Sequence, residues 1–300
     1  MSRGVASGAW GGAVADPPAR GPWHIAWRRF RGNRAAVLGL SVSAAVVLAA
    51  LLAPLLAPFD PNAQPDPVLL QQLAPNTHYL LGTDAFSRDV LSRLIFGARV
   101  SLAVGLGAAL LAVLIGGSVG LVAGLARPWL DRLLMRGVDI ALALPRIFLL
   151  LAVFALWEGV PVGVVILLIA ATGWFETSRL VRAHVRSLRT ADFVLAATAL
   201  GAGRRGIARH LLPHVAATII VSATLDVGNI ILLEAGLSYL GLGVRLPTPT
   251  WGNMILDGRH LLFTAPWVVV APGVALVLTV VAFNLVGDGL RDALDPRLAR

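Results

Sequence analysis

Six runs of about 20 apolar residues, nearly free of charge, decide what this chain can fold into. They fall at roughly 35–57, 100–125, 137–157, 161–178, 214–235 and 265–287. Each is long enough to cross the hydrocarbon core of a bilayer as a helix, the one open structure that satisfies every backbone hydrogen bond within the segment. With 57% of residues hydrophobic and 14% charged, the chain has too little polar surface to cover itself in water. The expected fold is therefore an all-α integral membrane protein with about six transmembrane helices.

Orientation follows from arginine, since the chain has no lysine. One set of segments holds Arg3, Arg20, Arg28, Arg29, Arg31, Arg34, Arg127, Arg132, Arg136, Arg179, Arg182, Arg186, Arg189, Arg204, Arg205, Arg209, Arg291, Arg297 and Arg300, nineteen in all. The opposite set holds five: Arg88, Arg93, Arg99, Arg245 and Arg259. Cationic loops stay inside, so both termini are expected in the cytoplasm. The divisions are a cytoplasmic tail over 1–33, with a short amphipathic piece at WHIAWRRFRGNR, then a first span and outer loop over 34–99. A core over 100–290 carries a cytoplasmic loop at 179–213, and a second tail covers 291–300. The first apolar run is too long for a signal-peptide core and no clear cleavage site ends it. No internal repeat supports an inverted-repeat transporter.

Several function classes fall away. A P-loop needs lysine to reach the β and γ phosphates, so ATP-driven work would need another subunit. Without cysteine there is no disulfide, thiolate zinc site or iron–sulfur cluster. No basic stripe with interleaved aromatics suits nucleic acid. GAGRRG at 201–206 matches a dinucleotide fingerprint but follows a helix-like stretch rather than a strand. GGSVG at 116–120 matches a nucleophile elbow but lies within a span, where Ala108, Ala112, Gly116, Gly120 and Gly124 recur every fourth position and make one smooth packing face. His210 and His214 have zinc spacing, but Leu211 stands where a metalloprotease has Glu and Pro213 breaks the turn, so no metal is expected. Neither a catalytic residue nor a bound cofactor is expected in this chain.

Two features carry chemistry. Residues 196–213, AATALGAGRRGIARHLLP, predict a helix ending in small residues, a turn at Gly201, Gly203 and Gly206, and a second short helix stopped by Pro213 just before the fifth span. Such a hairpin suits another protein's groove, or anionic membrane lipid. On the fifth span, Ser222, Asp226 and Asn229 share a face at i, i+4 and i+7, making them candidate lining of a solute pathway. Glu234 points about 80° away, at ~100° per residue, and is expected to serve a different contact. Pro145 should kink the third span. Arg146, next to it, either snorkels or pairs with an acid.

The stretch resembles the "EAA" loop of ABC-importer permeases, E-A-A-x3-G-x9-I-x-L-P, matching at Ala196, Ala197, Gly201, Leu212 and Pro213. Leu195 stands where that pattern often has Glu, and Pro213 comes one residue early. FRGNRAAVLGL, LLAPLLAPFDP, LGTDAFSRDVLSRLIFGARVSL, DRLLMRGVDIALALPRIFLL, LSYLGLGVRLPTPTWGNM and FNLVGDGLRDALDPRL are similar to segments of the C-type permeases of dipeptide, oligopeptide and nickel importers, with Ser87 for the usual Gly and Phe96 for the usual Tyr. The resemblance implies a type I ABC importer permease in the bacterial inner membrane, forming half of a translocation pathway. It implies a homologous second permease, two ABC ATPase subunits that use ATP and Mg, and an extracytoplasmic solute-binding protein. Leu195, Ala196, Ala197, Gly201, Gly203, Ile207, Leu212 and Pro213 would form the ATPase-coupling loop. A proton-coupled secondary transporter is the alternative reading of the residues.

Overall fold

The computed structural model describes residues 22–157 and 159–294. Among the described residues are eleven α-helices, and strand pairing is limited to isolated bridges at Thr83–Asp89 and Val160–Val244. In chain order the helices are α1 (Pro22–Gly32), α2 (Arg34–Leu51), α3 (Ala53–Leu56), α4 (Val90–Leu125), α5 (Pro128–Leu142), α6 (Arg146–Ala155), α7 (Val162–Leu188), α8 (Asp192–Ala199), α9 (Arg204–Tyr239), α10 (Trp251–Gly258) and α11 (Trp267–Leu294). Five are long and apolar enough to cross a membrane, and the bent pair α5–α6 supplies a sixth crossing if counted as one span.

Local chemistry sets the ends. Asn33 caps α2 by accepting the Ala36 amide at 3.2 Å, and Asp89 caps α4 by accepting the Ser92 amide at 2.7 Å. Thr250 and Asn253 form a reciprocal capping box at the start of α10. Pro145 holds extended backbone just before α6, and the α5–α6 pair bends by 71° there. The expected kink is thus a full break, because proline also disfavours helix at the residue before it. The apolar runs locate the helices but understate them: α4 begins at Val90, ten residues before the expected span, and α7 continues to Leu188. Their polar extensions stand beyond the hydrocarbon, where hydropathy gives no signal.

One expectation is corrected. Pro213 does not end a short helix, and Gly206 is not in the turn; both lie within the continuous α9. An interior proline costs about 3 kcal/mol. Leu211 and Val215, on either side of it, are completely buried in a cluster with Val181, Val185 and Val194. Burying a leucine and a valine contributes roughly 1.5–3 kcal/mol each, enough to carry the helix through.

The core is organised around α4, which packs on α7, α9 and α2. Its small-residue face lies on α7 so closely that no side chain would fit. A Cβ on Gly116 would sit 2.5 Å from the Trp174 carbonyl oxygen, one on Gly120 2.6 Å from that of Ser178, and one on Gly124 2.5 Å from Cγ1 of Val185. Ala112 is buried in the same row. The Arg-rich connection between α7 and α9 lies at one pole, with the start of α2 and the end of α11; the 57–89 loop and α10 lie at the other. Residues 1–21 and 295–300, which carry most of the first tail and of the last, fall outside the described residues.

Gly120→Val should disrupt the α4–α7 seam, an overpacking cost of about 1–3 kcal/mol or more. Gly137→Ala, on α5 with nothing within 4 Å, should be neutral or slightly stabilising. Thermal unfolding of both variants in detergent checks this, and equal midpoints would refute a tight seam. Ser87 is buried, its hydroxyl has no hydrogen-bond partner among the described residues, and it adopts φ +60°. Ser87→Gly, the residue usual in the resembling segments, should raise stability by about 1 kcal/mol in the same assay.

Candidate functional site: a cytoplasmic hairpin and charged groups in the bundle

The hairpin is built from α8 and the start of α9. Helix α8 closes with Gly201 at φ +84°. The Gly201 amide donates to the Thr198 carbonyl and the Ala202 amide to that of Ala197, both at 3.0 Å. This Schellman turn needs a left-handed residue where Gly201 stands. Gly203 is the extended N-cap of α9. Val194 points into the cluster of α7 and α9 residues, which Ile207 joins from its edge. The opposite side is bare: Leu195 is 55% and Leu200 89% exposed, with Ala196 and Ala199 exposed between them. Ala197 is half-buried, and Leu212 and Pro213 are exposed further along. The hairpin therefore has an anchored side and an apolar side that the other described residues leave uncovered.

The end of α7 that carries it is held ionically. Asp131, in the first turn of α5 and 2% exposed, accepts from Arg182 and Arg186 of α7, the Arg186 bond being 2.5 Å. Arg189 donates to the Gly124 carbonyl at 3.1 Å. In the sequence these arginines read only as inward-facing charge; their shared acid was missed. The available signal was a lone Asp among Arg127, Arg132 and Arg136.

At the other pole, Arg88 donates to Asp84 at 2.6 Å and to Asp257 of α10 at 2.9 Å, while Arg93 lies 3.7 and 3.8 Å from the same two acids. Arg93 is 1% exposed. This box fastens the outer loop and the start of α4 to α10. Three of its four members, Asp84, Arg88 and Arg93, fall within LGTDAFSRDVLSR, a segment quoted above for its resemblance and assigned no role.

The fifth-span residues separate into two groups. Ser222 donates a long bond, 3.5 Å, to Asp226; both are half-buried, and Asn229 is exposed. Glu234 is completely buried elsewhere, accepting from Ser238 at 2.6 Å and from Ser101 of α4 at 3.2 Å, and Ser101 also accepts the Trp251 amide of α10 at 3.3 Å. It joins α4, α9 and α10. Arg146 turns inward onto α7, donating to the Ile169 carbonyl at 2.8 Å and to Thr172 Oγ1 at 3.1 Å. It makes no ion pair within 4 Å among the described residues.

Five long crossing helices and a bent helix pair, with a cytoplasmic hairpin that the other described residues leave open and charged groups inside the bundle, make the architecture of a membrane transport component. Residues 116–300 match the family described as binding-protein-dependent transport system inner membrane component, and residues 21–75 match the N-terminal TM domain of oligopeptide transport permease C. The chain is 41% identical to the dipeptide transport system permease protein DppC of Alkalihalophilus pseudofirmus, over 92% of this chain and 90% of that protein. It is similar to the glutathione transport system permease proteins GsiD of Escherichia coli, 40% identical over 95% and 94%, and of Pectobacterium atrosepticum, 37% over 95% and 94%. The chain belongs to the binding-protein-dependent inner-membrane permeases of ABC importers and is a multi-pass inner-membrane protein.

The two ionic mountings should respond differently to loss of an acid. Asp84→Asn leaves Arg88 and Arg93 buried without a full partner, a cost of about 3–5 kcal/mol. Asp131→Asn should cost less, because Arg182 and Arg186, 25% and 50% exposed at their side chains, can re-solvate. Detergent unfolding midpoints should order as wild type, Asp131→Asn, Asp84→Asn from highest to lowest; the reverse order of the two variants would refute the assignment.

Proposed function

We propose that this chain is one of two homologous permease subunits of an ATP-driven importer for di- or oligopeptides, and that the α8 hairpin is its handle for the ATPase subunits. The peptide class is carried over from relatives named for dipeptide and glutathione transport. A solute-binding protein delivers the peptide from outside, two ABC ATPase subunits bind ATP and Mg, and this chain hydrolyses nothing.

The observation that carries the reading is the pairing of a rigid hairpin with an uncovered apolar side. Leu195 and Leu200 together expose more apolar surface than a free cytoplasmic loop needs, and membrane cannot cover a segment beyond the arginine-rich ends of α7 and α9. A protein groove can. The charge of Arg205 and Arg209, both exposed, suits an acidic rim around that groove.

Motion passes from hairpin to bundle because the connections are stiff. Val194 and Ile207 lock α8 and α9 onto the end of α7, and Asp131 ties that end to α5. The glycine seam then fixes α7 to α4. Closure of the ATPases on ATP would displace α8, and α4, α7 and α9 would follow together, opening the pathway alternately to the two sides. Asp226, Ser222 and Asn229 are the pathway lining in this reading.

Leu200→Glu tests the handle. At 89% exposure it should leave the detergent unfolding midpoint of this chain within about 0.5 kcal/mol of wild type. Co-purification of the ATPases and peptide uptake in proteoliposomes of the whole importer should each fall at least about tenfold, which is ~1.4 kcal/mol of binding. Normal co-purification and uptake would reject the hairpin as the docking element.

A further inference from the structure

Three charged side chains from three different helices lie within electrostatic reach of one another, though none pairs within 4 Å among the described residues. Arg146 opens α6, Glu176 lies on α7 one turn beyond Thr172, and Asp226 lies on α9. Each acid acts electrostatically on Arg146, and the two acids act on each other. Glu176 is exposed, while Arg146 and Asp226 are half-buried. Glu176 stands 14 residues from the outer start of α7 and Asp226 13 residues from the outer end of α9. At 1.5 Å per residue both lie about 20 Å in, at matching depth within an apolar core about 30 Å thick.

This side cannot face lipid. A charged side chain inside the hydrocarbon is costly, about 2.5–3.5 kcal/mol at its centre even on the lowest scales, and three share this surface. A dry contact with a second permease fits poorly too. Two carboxylates and one guanidinium leave a net negative charge, and sealing an unpaired charge away from water costs several kcal/mol. A water-filled space satisfies both limits.

The cation is held in place. Arg146 spends one N–H on the Ile169 carbonyl and one on Thr172 Oγ1, and its arm lies across Gly173, where a Cβ would come within 2.8 Å of Nη2. Among the described residues its remaining N–H groups have no partner and neither acid has a cation within 4 Å. A fixed guanidinium with free donors and two unpaired carboxylates is complementary to a ligand that carries one charge of each sign.

We propose that Arg146, Glu176 and Asp226 form a two-signed way station in the conduit, where the guanidinium takes the carboxylate of a zwitterionic peptide and the two acids take its ammonium group. This assignment rests on the peptide-importer reading. The site holds both ends of a short peptide loosely, midway between the binding protein and the cytoplasm.

The chain has no cysteine, so a single introduced thiol reports on this face without altering its background. Asn229, exposed one turn from Asp226, is replaced by Cys in the assembled importer and treated with ethylammonium and ethylsulfonate methanethiosulfonates. Both reagents should reach it, the cationic one several-fold faster, and Asp226→Asn should abolish that advantage. Glycyl-leucine should slow labelling, and its N-acetyl amide at the same concentration should not. No labelling in any nucleotide state, or equal rates for the two reagents, would overturn the proposal. Glu176→Gln, at an exposed position that should not affect folding, is read by transport. Glycyl-leucine uptake should fall about tenfold while ATP hydrolysis stimulated by the binding protein persists; unchanged uptake would also overturn the proposal. If the wild-type importer carries no dipeptide at all, the solute reading fails instead, and the labelling bias still reports whether the charged face is open to water.

Discussion

The glycine seam between α4 and α7 is the constraint on which the rest of the structure depends. In a bilayer the apolar effect does not press helices together, because lipid tails are as oily as leucine. Association then depends on close contact, and Gly116, Gly120 and Gly124 let the α7 backbone and its Thr177, Ser178 and Val181 approach where any Cβ would collide. That contact fixes the helix from which α8 hangs against the central helix of the bundle. It also presents Ile169 and Thr172 to Arg146. Without the seam, the hairpin and the charged face would have no common frame.

Charge is used differently at three depths. At the outer pole, Asp84, Arg88, Arg93 and Asp257 neutralise one another in a nearly closed box that ties a loop to α10. At the cytoplasmic pole, Asp131 gathers two arginines that remain partly wet. Both are mountings, with each acid inside salt-bridge range of a partner. Between them, Arg146, Glu176 and Asp226 influence one another without pairing. A buried group with partners holds structure, as Glu234 does with its ring of hydroxyls. A group with unspent bonding capacity is free to meet a solute.

Much of the fold was legible in the sequence. Five of the six apolar runs fall on long crossing helices and the third falls across the bent α5–α6 pair, while the arginines gather at the pole shared by the end of α7, the start of α9, the start of α2 and the end of α11. Pro145 announced a break, and Gly201 a turn. The errors have a common cause. Pro213 reads as a helix stop only if Leu211 and Val215 have nothing to pack against, and α4 reads as ten residues too short only if membrane is the sole support for a helix. Of the candidate site, Ser222, Asp226 and Asn229 could be grouped by periodicity, since one helix keeps its own register. Glu176 could not be added to them, because it lies 50 residues away in a segment that reads as the polar end of a span.

By itself, then, the sequence determined that this chain crosses a membrane, which segments are apolar enough to do so, and where its backbone must turn, because each of these depends on composition and spacing along one segment. Only the tertiary structure decided which acid serves which arginine, which proline is overridden, and which charges from three helices act on one another. Those depend on distances between segments far apart in the chain, and such distances come into being only when the glycine faces close.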